Sequence, residues 1–315
     1  MKLDAQNKKI IRQKVLRAIS SNRAPGMHFA GYFLNFTPQR FATDGVAFTV
    51  EAGPHCTDAN GVVNRVALLY SADMTLAAAN RVFIDPNVRT ATLMLRVEFT
   101  GRLARGTLEV SGRGSGFSPH TALPESVAVG RVVCQGREVM RMSGTWVSPP
   151  APKDMVMRGL PWEGGDNGAQ LPLLKKNELD AAEKDVIRRV EKAMRVMQNG
   201  DLLSNLCNPV AKRTSHGASG RLEVGMHIGN RVGHVQGGFL INAALVTAEV
   251  AVPEHPVLTG ASAWYISPGM GKVINARSTI LQSGRNVAVV RTELFAAGRK
   301  LVLEVISNHA VAAST

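Results

Sequence analysis

The sequence predicts an α+β protein that uses one structural plan twice, with a central helix and a long antiparallel sheet in each half. In both halves, an apolar helical segment precedes segments with the alternating pattern of strands. A stretch rich in proline and glycine separates the halves and has no sustained periodicity. We therefore predict a first domain over residues 1–147, a linker over residues 148–172 and a second domain over residues 173–315.

In the first half, apolar residues over positions 4–20 have the spacing of an amphipathic helix. Lysines and arginines lie on the other face of this predicted helix. Its central helix is predicted over residues 66–79. The glycine-rich residues 112–116 are expected to form a flexible connection between strands. Strands are predicted over residues 29–36, 46–50, 91–99, 106–111, 127–134 and 139–147.

The second half repeats this order. An amphipathic helix is predicted over residues 182–197, and the apolar central helix follows two glycines at Gly237 and Gly238. Strands are predicted over residues 202–206, 222–226, 261–266, 273–281, 286–295 and 300–307.

Four positions before each central helix match without a gap. The first half has His55, Asp58, Gly61 and Asn64, and the second has His227, Asn230, Gly233 and Gln236. The offset is 172 throughout, since 227 − 55 and 236 − 64 give the same value. Matching residue types within a matching order of elements indicate a tandem repeat, and the paired histidines favour a shared structural role.

The composition limits the class of protein. An apolar fraction of 45% and a charged fraction of 19% are those of a globular chain. No apolar run is long enough to cross a bilayer, and the basic N-terminal segment does not resemble a signal peptide. We therefore expect a cytoplasmic protein. The three cysteines are widely spaced, so we expect them to be reduced and structural.

The net charge of +13 favours an anionic partner. Aromatic residues make up 5% of the chain and no nucleic-acid-binding motif is present, so a nucleic-acid partner is not expected. No cluster of histidine and cysteine suggests a metal site. The other candidates are an acidic membrane surface and a phosphate-bearing small molecule. Five basic residues at predicted strand ends or turns form a pool that could meet an anionic group: Arg102, Arg105, Lys272, Arg277 and Arg285.

The stretch Asn230 to Gly238 resembles the N-x-x-G-x-x-H-G-G motif of hotdog-fold acyl-CoA thioesterases of the phenylacetate-pathway type. The resemblance implies two tandem hotdog domains, each a long antiparallel sheet wrapped around a central helix, paired as a pseudo-dimer. It also implies a reaction site between the domains, where one supplies the glycine helix terminus and the other an acidic residue nine positions after the motif histidine. Gln236 stands here in place of that histidine.

The two halves have kept different parts of this motif. Nine positions after Asn64 comes Asp73, but Arg65 and Val66 occupy the places of the glycines. In the second half both glycines are present, and Leu245 stands in place of the acid. We therefore expect one composite site, formed by Gln236-Gly237-Gly238 and Asp73, and an inactive mirror site.

The resemblance assigns a role to each residue. The Gly238 N–H would stabilise negative charge on the thioester carbonyl, and Gly237 would allow close approach of the backbone. Asp73 would be the general base or, as the alternative, the nucleophile. Gln236 would orient the thioester or water by hydrogen bonds, since it carries no proton at neutral pH.

Further residues are candidates for substrate binding. Asn230 and Gly233 would shape the loop, and His234 could reach the substrate, although a loop histidine is the alternative. Thr75 could hold water, with helix packing as its alternative. Glu249 is a second candidate acid, one turn beyond Leu245.

The leading hypothesis is therefore an acyl-CoA thioesterase with one site, with coenzyme A as part of the substrate and no separate cofactor. Two alternatives stay open: a non-catalytic acyl-CoA or acyl-lipid binding protein, and a hotdog hydratase or dehydratase. Assembly into a homo-oligomer through the sheets or helices is left open.

Overall fold

The computed structural model describes residues 4–24, 27–118, 120, 122–150, 159–163, 171–197 and 201–313. The first half contains helices α1 (Ala5–Asn22), α2 (Phe29–Phe33) and α3 (Arg65–Arg81), and strands β1 (Phe36–Ala42), β2 (Gly45–Val50), β3 (Ala91–Phe99), β4 (Leu108–Ser118), β5 (Glu125–Cys134) and β6 (Arg137–Val147). The second half contains helices α4 (Ala181–Val196), α5 (Leu202–Cys207) and α6 (Gly237–Ala251), and strands β7 (Val210–Thr214), β8 (Gly217–Glu223), β9 (Val257–Tyr265), β10 (Val273–Ser283), β11 (Val287–Phe295) and β12 (Leu301–Ala310).

The twelve strands form one antiparallel sheet in the order β1-β2-β4-β5-β6-β3-β9-β12-β11-β10-β8-β7. The two halves meet at its centre, where β3 pairs with β9 from Met94↔Trp264 to Glu98↔Gly260. Strand order on one side of this junction repeats on the other. The predicted α+β fold with two paired tandem units is therefore confirmed.

The central helices α3 and α6 pack against each other and against the sheet, and most of their residues are buried. Gly238 permits this close contact, because a Cβ atom there would lie 2.7 Å from the carbonyl oxygen of Leu69. The ring centroids of Tyr70 and Phe239 are 6.0 Å apart across the same interface. The packing brings the start of α6 against the middle of α3.

The loops before the central helices have the same hydrogen bonds. The Asp58 carboxylate and the Asn230 side-chain oxygen each accept hydrogen bonds from the backbone N–H groups two and four residues later. Gly61 and Gly233 have φ values of +73° and +77° in equivalent turns. The repeat predicted from the 172-residue offset is thus confirmed in the backbone.

Two predicted strands are helices. Most of residues 29–36 forms α2, and residues 202–206 belong to α5. Short apolar runs fit a buried strand and a buried helix equally well. For α5 a local signal exists, since the Asp201 carboxylate accepts a 3.1 Å hydrogen bond from the Ser204 N–H as an N-cap. Strands β1 and β7, which flank these helices, were not predicted.

The expected flexible connection at residues 112–116 lies inside β4 instead. A Cβ atom at Gly114 would clash with the backbone carbonyl of Ala79 in α3. The glycines therefore allow the helix to approach the strand closely, which is a packing role in place of a flexible one.

Part of the predicted linker packs against the first half, while residues 151–158 and 164–170 lie outside the described residues. Trp162 is buried, and its ring contacts Phe36 and Phe48. Glu163 forms a doubly hydrogen-bonded ion pair with Arg81, and both side chains are 2% exposed.

Among the described helices, none has the length and apolar character needed to span a membrane.

Candidate active site

The carboxylate of Asp73, in the middle of α3, lies against the N-terminus of α6. Its Oδ2 atom accepts a 2.7 Å hydrogen bond from Nε2 of Gln236. Both side chains are buried. The structure therefore brings together the acid of one half and the glycine-bearing helix end of the other.

A threonine on β3 provides the second hydrogen bond to this carboxylate. The Thr92 hydroxyl donates to Asp73 Oδ1 over 2.8 Å. With one donor on each oxygen, the carboxylate plane is held in a single orientation. Thr92 was not identified from the sequence, because its neighbour Asp73 is brought to it by helix-on-sheet packing.

Burial raises the pKa of Asp73 to about 6, and the hydrogen bond from Thr92 opposes this rise. The side chain is 6% exposed. At neutral pH most of the carboxyl group is ionised, yet its pKa lies close enough to neutrality for it to accept a proton during a reaction.

Gln236 is both the N-cap of α6 and the partner of Asp73. Its Oε1 atom accepts a 2.8 Å hydrogen bond from the Gly238 N–H. Because Oε1 serves as this acceptor, Nε2 is the atom left to donate to Asp73. The amide orientation is therefore defined by its two partners.

This capping bond corrects the role predicted for Gly238. Its N–H donates to Gln236, and Gly238 is buried against α3, so it does not line the cavity. Gly237 lines the cavity instead, and as the first residue of α6 its N–H has no acceptor within the helix. A Cβ atom at Gly237 would lie 2.7 Å from Asp73 Oδ2, so any other residue here would displace the carboxylate.

A cavity of about 400 Å³ contains these groups. Asn230 and His234 line it. Gly233 is exposed at the turn, away from the cavity wall, and acts on the loop conformation alone. Thr75 is fully buried beside Gly112 of β4 and does not line the cavity, a position that fits the alternative of helix packing.

The comparisons agree with this geometry at the level of the fold. A Lactobacillus plantarum protein assigned as an oleoyl thioesterase superimposes with a TM-score of 0.53 at 12% identity, covering 86% of this chain and 98% of its own. The TesB protein of Mycobacterium avium subsp. paratuberculosis gives a TM-score of 0.50 at 11% identity, covering 88% and 96%. The chain has the tandem hotdog fold of these thioesterases. No protein-family model and no curated protein sequence matches it.

At the mirror site of this double hotdog, the equivalent side chains are bonded to other partners. Asn64 caps α3 through the Val66 N–H, as Gln236 caps α6, but its amide donates to Asp201 of α5 over 2.8 Å. Arg65, at the position of Gly237, forms a two-fold hydrogen-bonded ion pair with Glu249. Leu245 is fully buried. The second candidate acid, Glu249, is thus an ion-pair partner that does not line the cavity of Asp73.

The wall of the first cavity also contains residues that the sequence did not identify. They come from several elements: His28, Arg89, Trp146, Arg231 and Tyr265. The Tyr265 hydroxyl donates to the carbonyl oxygen of Gly237 over 3.0 Å and so holds the start of α6. None of the basic pool predicted from strand ends lines this cavity; Arg102 lines the mirror cavity.

Three histidines near the two central helices in the sequence have lowered pKa values: His55, His227 and His234. Burial lowers the pKa of His55 to about 3 and that of His227 to about 4, and both lie outside the cavity wall. His234 also has a lowered pKa, from burial and from Arg89. Within the described ranges, no group of three or more histidine, cysteine or acidic side chains could hold a metal ion.

Proposed function

We propose that the chain hydrolyses an acyl thioester, with acyl-CoA as the substrate class, at one composite site between its two hotdog units. The observation that carries this proposal is the Asp73 carboxylate, which is held by Thr92 and Gln236 beside the free N-terminal amide at Gly237. A buried base next to an uncovered backbone donor is the pairing that acyl transfer to water requires.

The reaction begins when the thioester carbonyl oxygen accepts a hydrogen bond from the Gly237 N–H. This donor, at the positive end of the α6 dipole, stabilises the negative charge that develops on the oxygen. A water molecule attacks the carbonyl carbon and gives a proton to Asp73. The carbon–sulfur bond then breaks, the thiolate takes the proton back from Asp73, and the products are a carboxylic acid and a free thiol, with the Asp73 carboxylate restored.

Gln236 and Thr92 support Asp73 in this scheme without exchanging protons. Their hydrogen bonds favour the ionised carboxylate and fix its direction. Tyr265 fixes the Gly237 peptide from the other side. Since three separate elements hold the two reacting groups, neither has to be reorganised during the reaction.

Basic residues near the cavity support a phosphate-bearing thiol carrier. Arg89 and Arg231 both line the wall, and burial lowers the pKa of each from the usual arginine value. Arginine is well suited to bind phosphate through its planar set of donors. Together with the net charge of +13, this favours coenzyme A as the carrier of the acyl group.

The test is release of free thiol from a panel of acyl-CoA substrates of increasing chain length. We expect wild type to release thiol and Asp73→Asn to lose about 10²- to 10⁴-fold in kcat, the usual scale for a positioned acid or base. Asp201→Asn is the matched control. Asp201 accepts a hydrogen bond from Asn64, the mirror-site counterpart of Gln236. The activity of the Asp201→Asn variant should equal that of wild type.

Other results would overturn the proposal. Tight binding of acyl-CoA without thiol release at any chain length would favour a non-catalytic binding protein. Equal activity of Asp73→Asn and wild type would show that the hydrolytic site lies elsewhere.

A further inference from the structure

The outer face of the sheet in the first half carries a groove of about 610 Å³. Along β4 and β5, buried side chains that face α3 alternate with side chains that face outward into this groove. The groove shares no lining residue with the cavity that contains Asp73. Five strands each contribute one arginine to it: Arg40, Arg96, Arg113, Arg131 and Arg141.

The positive charge of this groove is only partly balanced by its own carboxylates. Three carboxylates line it, and each is paired with one of the arginines: Arg40–Asp44, Arg96–Glu98 and Arg141–Glu138. The side chains of Arg113 and Arg131 have no ion pair or hydrogen bond with any residue that the structure describes. Five arginines against three carboxylates therefore leave two positive charges without a counter-charge.

The two unpaired arginines lie close together on neighbouring strands. Arg131 of β5 pairs with Ser111 of β4, and Arg113 is two residues further along β4 on the same face. Diagonal neighbours of this kind have Cβ atoms roughly 7–8 Å apart, within reach of long side chains. Arg131 also directly faces Arg141 of β6, and like charges at facing positions destabilise a sheet. An anion between these guanidinium groups would remove the repulsion.

The corresponding strands of the second half provide a counter-charge within the chain. Glu293 of β11 directly faces Glu304 of β12, so two like charges are opposed there as well. Arg291 donates hydrogen bonds to both carboxylates, and Arg277 of β10 pairs with Glu293. No carboxylate of the described ranges takes this place beside Arg131. The first half therefore lacks the internal counter-charge that the second half has.

A phosphate monoester matches the two uncompensated charges. It carries a charge of about −1.5 to −2 at neutral pH and three strong acceptor oxygens. A guanidinium group binds such oxygens through paired N–H donors. A carboxylate or a phosphodiester carries one charge, which would leave one arginine uncompensated. The groove is larger than a phosphate group, and the exposed Val129 side chain beside the arginines offers an apolar contact to the rest of a ligand.

We propose that this groove binds a small soluble molecule through a phosphate monoester, held between Arg113 and Arg131 and beside Arg141. The inference goes beyond the proposed function and does not rest on it. The groove lies on the face of the sheet away from α3, whereas Asp73 belongs to α3. Binding at the groove can therefore be measured independently of thioester hydrolysis.

The test compares a phosphate monoester with a diester of nearly the same size. Wild type is titrated with methyl phosphate, dimethyl phosphate and inorganic phosphate at low ionic strength and at about pH 7.5, where the monoester is largely dianionic. We expect methyl phosphate and inorganic phosphate to bind at least about 10-fold more tightly than dimethyl phosphate, the scale of one added charge-assisted hydrogen bond. Calorimetry measures each Kd.

Variants assign this binding to the two unpaired arginines. Arg113→Gln and Arg131→Gln each remove one charge from an exposed side chain, so we expect the affinity for methyl phosphate to fall about 10-fold or more. Arg277→Gln is the matched control on the outer face of the second half, where the arginine is paired with Glu293. Arg89→Gln is a control in the cavity of Asp73. Both controls should keep the wild-type affinity, and thermal unfolding shows whether each variant is folded.

Three results would overturn the inference. The first is equal affinity of wild type for methyl phosphate and dimethyl phosphate. The second is an unchanged affinity for methyl phosphate in both Arg113→Gln and Arg131→Gln, or a loss of that affinity in Arg89→Gln alone, which would place the phosphate in the cavity of Asp73. The third is binding to vesicles that contain phosphatidic acid without binding of soluble methyl phosphate, which would favour a membrane surface as the partner.

Discussion

The carboxylate of Asp73 accepts a 2.7 Å hydrogen bond from the amide of Gln236, which lies 163 positions later in the chain. The same amide caps α6 through the Gly238 N–H. One side chain thus ties the helix end of one hotdog unit to the acid of the other. Glutamine suits this position because it supplies an acceptor and a donor at once, and neither changes with pH.

The pKa of Asp73 predicts the pH dependence of activity. Since the pKa of this acid is raised to about 6, the carboxyl group becomes protonated as pH falls through 6 and can no longer accept a proton from water. We expect kcat/KM to be level above pH 7 and to fall about tenfold per pH unit well below 6. Initial rates from pH 4.5 to 8 measure this, and constant kcat/KM down to pH 5 would exclude Asp73 as the base.

Replacing Gln236 by glutamate should move this pH profile upward. Gln236→Glu places a second carboxyl group next to Asp73 and removes the amide donor, so the pair retains a proton to higher pH. We expect low activity at pH 7 that partly recovers at alkaline pH. Asn64→Asp is the matched control, because it makes the same change at the mirror position and should leave the profile where it is. A profile shifted equally by both variants would point to a general effect of charge.

The two neighbouring glycines should respond differently to alanine. Gly237→Ala places a methyl group against Asp73 Oδ2, so we expect a loss of activity of at least 10²-fold with a small change in stability. Gly238→Ala places a methyl group against the backbone of Leu69 and Tyr70. We therefore expect the free energy of unfolding to fall by about 1–3 kcal/mol, as for other overpacked sites. Kinetics and urea unfolding of both variants measure the contrast. The reverse pattern would show that the two roles are exchanged.

The ion pair between Arg81 and Glu163 should stabilise the fold strongly. Glu163→Ala leaves the buried guanidinium without its carboxylate, and breaking such a pair typically costs about 3–5 kcal/mol. The control is Glu98→Ala, which removes an exposed ion pair with Arg96 and should cost less than about 1 kcal/mol. Urea unfolding gives both values. Equal losses of unfolding free energy in the two variants would mean that the Arg81–Glu163 ion pair does not anchor residues 159–163 to the first half.

The sequence was sufficient to pair Asp73 with the helix that begins at Gly237. Each has a counterpart in the other half, Leu245 for Asp73 and Arg65 for Gly237, and the fold places repeated positions around a pseudo-two-fold axis. A constant offset in the chain therefore predicts a spatial relationship. The predicted strands of the second half after α6 are also confirmed, because alternation of apolar and polar residues distinguishes a strand from a helix.

Other parts of the site had no signature in the sequence. Thr92 and Trp146 are cross-strand neighbours whose contacts depend on sheet register, which no local pattern reveals. His28 was missed because the apolar run after it fits a strand as well as a helix. That the Gly238 N–H donates to the Gln236 cap depends on how the Gln236 side chain turns, and only its partners in the folded chain decide that.

The central claim is that Asp73 from the first half and Gly237 from the second act on one thioester group. The most direct measurement is a crystal structure with an acyl-CoA analogue in which a methylene separates the sulfur from the carbonyl, so that it cannot be hydrolysed. The account predicts the carbonyl oxygen about 3 Å from the Gly237 nitrogen, the distance of a backbone hydrogen bond, with its carbon facing Asp73. A carbonyl bound beside Asn64 and Arg65 in the mirror cavity, with the Asp73 cavity unoccupied, would contradict it.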